Sequence, residues 1–218
     1  MGSERAPIKS GRDKMHERTL DEIVPAGAPQ GAGIFTRLND NRYMFCLNDA
    51  SLAGSGGGRL ELGRIGGRRE HAETWGQCIQ RELMEEVGCR ATVESAAQCF
   101  YADLDGHPSE IAVSTLPRPL LISRQPVSRD VIPEGVYYNV VFWARLQGEP
   151  RPLSEIHGLV LLEEALLRLI MSAAFTVRRL QAAGVEIIPA RELDPDAKVG
   201  LGRAPSVLVE LLNRGQAG

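Results

Sequence analysis

The chain has 218 residues, 43% of them hydrophobic, and a formal net charge of −3 at pH 7. That length supports one domain with a sizeable core plus extensions, and the near-balanced charge gives no bulk attraction for nucleic acid. No apolar run is long enough to span a membrane, and the charged opening MGSERAPIKSGRDKMHERTLDE lacks the apolar region of a signal peptide.

In chain order, residues 1–30 read as a polar, partly irregular N-terminal extension that ends in PAGAPQGAG. Ile34 to Leu38 and Arg42 to Leu47 read as short strands joined by the turn residues Asn39, Asp40 and Asn41. Ala53 to Gly58, AGSGGG, reads as a flexible loop. Arg59 to Ile65 alternates and should be a strand. Its alternation puts Arg59 and Glu61 on one face and Leu60, Leu62 and Arg64 on the other.

Thr74 to Val87 has helical spacing, with Ile79, Leu83 and Val87 as an apolar stripe and Gly88 as its stop. Gly76 is expected on the same side, admitting another backbone. Ala91 to Tyr101, Ile111 to Ser114 and Leu120 to Ser123 are strand-like. Val136 to Leu146, β-branched and aromatic throughout, is the clearest strand. Gly158 to Leu162 reads as a short strand before a helix at Glu163 to Met171. Further helical pieces are expected near Val177 to Ala183 and Ser206 to Asn213. The expected organisation is a domain over 31–175 and a C-terminal helical extension over 176–218. The cysteines Cys46, Cys78, Cys89 and Cys99 show no CxxC or Cys/His metal spacing, and Cys78 and Cys89 read as small core residues. They fit a reducing, cytoplasmic setting.

The chemistry concentrates in Gly67 to Cys89, GRREHAETWGQCIQRELMEEVGC. On a helix, Glu82, Glu85 and Glu86 fall on one neighbouring face. Like charges so placed repel, and a hard divalent cation resolves the conflict because Mg2+ prefers carboxylate oxygens. Arg81 can orient or partly neutralise the cluster. A solvated acidic face is the bland alternative, and the register of Gly67, Glu73 and Arg81 weighs against it.

A glycine, five residues, a glutamate, seven residues and then Arg-Glu-apolar-x-Glu-Glu-x-Gly resembles the signature of the Nudix hydrolases. Cys89 departs from it, standing where that signature carries a large aliphatic residue. The resemblance implies an α/β fold, an α/β/α sandwich with a mixed central sheet. It implies metal-dependent hydrolysis of a diphosphate linked to another group, with Mg2+ or Mn2+ as cofactor. Carried over by position, the main-chain carbonyl at or beside Gly67 and the carboxylates of Glu82, Glu85 and Glu86 are metal ligands. Glu73 supports the loop, and Arg81 orients the glutamates. The general base comes from the box or from a later loop, where Glu155 is the candidate; His157 is a weaker one.

For substrate contact the candidates are Arg64 and Arg68, from the basic group Arg59, Arg64, Arg68 and Arg69, because the guanidinium fork suits phosphate. Tyr43, Tyr101, Tyr138 and Phe142 could stack a base but also fit the core. No run resembling the NADH-class or CoA-class motifs is present. Pro108 and Pro117 lie too far downstream for the ADP-ribose class, and Tyr101 too near the box for the dinucleoside-polyphosphate class. The segment 103–135 lengthens the region that shapes specificity. The first choice of substrate is therefore a nucleoside diphosphate joined to a second moiety, ADP-ribose or nucleotide-sugar-like; the second is a nucleoside triphosphate. A non-catalytic nucleotide-binding module and an isoprenoid diphosphate isomerase are the readings from other classes, and the intact box disfavours both. The partner expected is a small nucleotide, with no nucleic acid and no membrane. Either terminal extension could cover the site, form a homodimer interface or simply pack.

Overall fold

A computed structural model describes residues 16–50, 59–153 and 155–217. The elements are α1 (Leu20–Ile23), β1 (Gln30–Arg37), β2 (Tyr43–Asp49), β3 (Arg59–Gly63), β4 (Ile65–Arg68), α2 (Trp75–Glu86), β5 (Arg90–Glu94), β6 (Cys99–Ala102) and β7 (Pro108–Ile111). They continue with β8 (Leu121–Pro126), β9 (Val136–Gln147), β10 (Gly158–Leu162), α3 (Glu164–Ser172), β11 (Phe175–Thr176), α4 (Val177–Ala182), β12 (Glu186–Pro189), β13 (Lys198–Leu201) and α5 (Arg203–Asn213). Among the described residues, no helix is long and apolar enough to cross a membrane.

The expected α/β class is present, with a mixed sheet between two helical layers. The strand order is β11-β13-β3-β2-β1-β9-β8-β6-β7, with β1 and β9 parallel and β8 and β9 antiparallel. Strand alternation divides the core in two. Ile34, Val140 and Phe142 face α2 through Ile79, Leu83 and Val87. Phe35, Val141 and Leu62 face the opposite way, toward Leu167 of α3 and Leu208 of α5. The helical stripe read from the sequence is therefore the buried one, and Cys78 and Cys89 lie in that same cluster.

Several expectations change. Gly76 is exposed and has nothing within 4 Å of where a Cβ would stand, so it admits no backbone. Ala91 to Tyr101 is two strands, because β5 pairs with β9 whereas β6 pairs with β7 and β8. The strand expected at Arg59 to Ile65 ends at Gly63, and β4 begins at Ile65. This break removes Arg64 from the face of Leu60 and Leu62. In the N-terminal stretch, Leu20, Ile23 and Val24 are buried, and the Leu20 N–H donates to Thr115 Oγ1 at 2.8 Å. The C-terminal stretch is not only helical. β13 adds to β3 in parallel and β12 to β10, while Val207, Leu208 and Leu211 of α5 enter the core. β12 and β13 thus belong to the same sheet as the strands before them. The loop expected at Ala53 to Gly58 lies outside the described residues.

Candidate active site

Two features of the sequence fix α2. Thr74 caps it through a reciprocal pair: the Gln77 N–H donates to Thr74 Oγ1 (3.2 Å), and the Thr74 N–H donates to Gln77 Oε1 (2.8 Å). At the other end Gly88 takes a left-handed φ of 64°, which a side chain disfavours. The helix-end carbonyls of Glu86 and Val87 accept N–H groups of Leu153 (2.8 Å) and Arg151 (3.0 Å). Those bonds tie the loop before β10 to the helix carrying the glutamates, and so bring Glu155 to them.

Arg81 organises the carboxylates. Its Nε and Nη2 donate to Glu73 Oε1 (2.8 Å) and Oε2 (3.1 Å). Its Nη1 donates to Glu82 Oε1 (2.7 Å) and Glu85 Oε2 (2.8 Å), and Nη2 also reaches the Arg68 carbonyl (2.8 Å). This spread of donors over several acceptors needs the planar fork of arginine. Hydrogen bonds from Arg81 hold the Glu73 carboxyl below its ordinary pKa. Glu73 also closes the preceding loop, accepting the Glu70 N–H at 2.9 Å and offering its carbonyl to Arg69 Nε at 2.6 Å.

Carboxylate oxygens of Glu82, Glu85 and Glu155 lie within 4.8 Å of one another. Glu85 and Glu155 are exposed, whereas Glu82 is 7% exposed, and burial raises its pKa. Glu86 faces inward from the same helix. Its Oε2 accepts the Gly66 N–H at 2.7 Å and lies 3.7 Å from Cys46 Sγ, and burial pushes its pKa up to about 7. Its Oε1 makes no hydrogen bond among the described residues. Glycine at 67 leaves the room that the Glu82 carboxylate occupies: a Cβ there would stand 2.3 Å from Glu82 Oε2, so that carboxylate would have to move. The donors are hard oxygens, some exposed and some buried, and the single guanidinium of Arg81 is shared among Glu73, Glu82 and Glu85, so negative charge remains in excess. That set fits a divalent ion such as Mg2+.

A cleft of about 350 Å³ opens beside Gly66 and Gly67. Arg64 and Arg68 both line it, and Arg64 Nε donates to Asn139 Oδ1 at 2.6 Å. Gly31 and Gly33 of β1 make room for this arrangement, since a Cβ would collide with Tyr137 and the Gly67 carbonyl at the first and with Arg64 at the second. Among the described residues, the aromatic one lining the cleft is Tyr137, not one of those singled out from the sequence: Tyr43 and Phe142 are buried, and Tyr101 and Tyr138 pack on the α2-side core. Period-two alternation along β9 held that signal, because Tyr137 and Asn139 share a parity opposite to Tyr138 and Phe142. Further lining comes from Val127, Val131 and Ile132 and from Gly202 to Pro205, none of which the sequence singled out. His157 stands away from the cleft, its Nε2 3.0 Å from Asp49 Oδ1.

No family model matches the chain, and no curated protein matches it. Solved structures resemble it at low identity. A Nudix hydrolase from Nitrosomonas europaea is 16% identical over 69% of this chain and 61% of that one, with a TM-score of 0.40. A structure described as possible asymmetric diadenosine tetraphosphate hydrolases from Jonesia denitrificans is 11% identical over 88% of this chain and 97% of that one, with a TM-score of 0.48. An ADP-ribose pyrophosphatase from Streptococcus suis is 13% identical over 63% and 75%, with a TM-score of 0.37. All these TM-scores lie below 0.5, so the functional reading rests on the site.

Proposed function

We propose that this chain is a metal-dependent hydrolase of the Nudix type, acting on the diphosphate linkage of a nucleoside diphosphate joined to a second moiety. The observation that carries the reading is the meeting of Glu155, from a loop beyond β9, with Glu82 and Glu85 of α2. Glu155 is distant in sequence from the other two and brings a further negative charge beside a pair that already shares Arg81, an arrangement that a divalent ion would stabilise and that sets Glu155 beside an ion-bound water. The Nudix-type box supports the same reading.

A divalent ion bound here would offset charge on the diphosphate oxygens and lower the pKa of the attacking water. The chain's own groups do the rest. Glu82, Glu85, Glu86 and the Gly67 carbonyl are the proposed ligands. Arg81 holds Glu82 and Glu85 in place while Glu73 fixes Arg81 from behind. Arg64 and Arg68 bind phosphate oxygens at the mouth of the cleft. Glu155 accepts the proton of the attacking water on a carboxylate oxygen. Water attack on one phosphorus breaks its bond to the bridging oxygen, which leaves with the second phosphate. The products are a nucleoside monophosphate and a second phosphorylated molecule.

A substrate panel tests this: ADP-ribose, nucleotide sugars and nucleoside triphosphates, each with Mg2+ and with EDTA. Bridged diphosphates should turn over only with metal. Turnover of triphosphates exceeding every bridged diphosphate by about tenfold, about 1.4 kcal/mol in barrier, would reverse the substrate ranking and leave the metal site standing.

A further inference from the structure

The cleft has an end that the phosphate chemistry does not use. Asn48 of β2 and Glu61 of β3 face each other in antiparallel register, so their side chains project to the same face, and both line the cleft. Neither side chain makes a hydrogen bond or ion pair among the described residues. Gly202 leaves the room that Glu61 occupies, since a Cβ there would stand 3.1 Å from Glu61 Oε1. Burial raises the carboxyl pKa of Glu61 against the opposing charge of nearby Arg59, and a half-buried carboxylate that accepts no hydrogen bond among the described residues is costly unless something supplies donors to it.

A carboxylate only accepts, and two adjacent N–H groups satisfy both its oxygens; an amide beside it can donate to a neighbouring carbonyl. The matching edge runs acceptor, donor, donor. Guanine presents that order as its O6, N1–H and N2 amino group. Adenine would aim the N1 lone pair at the carboxylate, cytosine would aim N3, and uracil offers one N–H between two carbonyls. The cleft's apolar walls, to which Val131, Ile132 and Ala204 and Pro205 of α5 contribute, suit a flat ring. We propose that Glu61 and Asn48 are specificity residues that read the Watson–Crick edge of a guanine base held against those walls. The inference rests on the reading of this cleft as a nucleotide site and deepens it.

Calorimetric titration of GDP, IDP, ADP and UDP with Mg2+ tests the base directly, on the wild-type chain and on Glu61→Gln. GDP should bind at least tenfold tighter than ADP or UDP. IDP, which lacks the 2-amino donor, should fall between them. Glu61→Gln should erase most of the GDP advantage while leaving ADP binding within about twofold. Equal binding of all four bases by the wild-type chain would overturn the proposal without any variant, so a folding defect in Glu61→Gln cannot shield it. A 2′,3′-dideoxyribose GDP that binds as weakly as wild-type ADP, with a base-independent effect of Glu61→Gln, would assign Glu61 to the sugar diol and also overturn it. Hydrolysis of the matching bridged diphosphates is run alongside. Absence of any turnover would count against the proposed function, whereas turnover with no base preference would count against this inference alone.

Discussion

Glu86→Gln should stabilise the metal-free protein at alkaline pH while removing its activity. Burial pushes the Glu86 pKa up to about 7 from an ordinary value of 4.5. A carboxyl whose folded pKa is raised holds its proton more tightly in the folded state. Its contribution to stability is therefore complete below about 4.5 and is lost as pH rises through about 7. That difference corresponds to roughly 3 kcal/mol at pH 8. Glu82, also raised by burial, adds with the same sign. Glu73 has a lowered pKa, so its contribution is lost only as pH falls below the ordinary carboxylate range. Glutamine at 86 carries no charge, and its Oε1 can still accept the Gly66 N–H. Urea unfolding in EDTA from pH 5 to pH 8 should show the wild-type losing stability relative to Glu86→Gln, by roughly 3 kcal/mol across the range. Mg2+ at pH 8 should restore the wild-type more than the variant, since it binds the folded state. Parallel curves for the two proteins in EDTA would refute the assignment of Glu86 as a strained buried carboxylate.

Arg81→Lys keeps the charge and loses the fork that spans Glu73, Glu82 and Glu85; turnover should fall by about 10²-fold or more, and denaturant unfolding should show a loss of about 1–3 kcal/mol. Gly67→Ala places a methyl group against the Glu82 carboxylate, so the apparent Mg2+ affinity in activity titrations should drop at least tenfold, whereas Gly76→Ala should leave it unchanged and raise stability by up to about 1 kcal/mol. Glu155→Gln should cut kcat strongly with KM and Mg2+ affinity little changed if it takes the proton, whereas a fall in metal affinity would make it a ligand instead.

The site was legible where its residues lie on one helix. Spacing places Glu82, Glu85 and Glu86 on one helix, and the capping and stop residues fix that helix, but the structure groups Glu82 and Glu85 with Glu155 while Glu86 turns inward to the Gly66 N–H. Gly67 was legible only as a motif position; the reason for it, the Glu82 carboxylate lying where a Cβ would go, belongs to three dimensions. Glu155 was inferred from loop position, and the backbone bonds that bring it to α2, from Leu153 and Arg151 to the helix-end carbonyls, carry no side-chain signature. Arg64 was misplaced because alternation holds only within one unbroken strand, and β3 ends one residue before it. The C-terminal strands were missed for a related reason. Glu186–Pro189 and Lys198–Leu201 are four residues each, too short for a periodic signal, and their pairing partners are remote in the chain.

The central claim, that the carboxylates of α2 hold a divalent ion for attack on a bridged diphosphate, is tested most directly by phosphorus NMR of one reaction. A nucleoside diphosphate sugar is incubated with the wild-type chain and Mg2+, then with EDTA in excess. The diphosphate resonances should be replaced by those of a nucleoside monophosphate and a sugar phosphate, and the conversion should stop when EDTA is added. Conversion that continues unchanged in EDTA, or no conversion of any bridged diphosphate or triphosphate with Mg2+ or Mn2+, would contradict it.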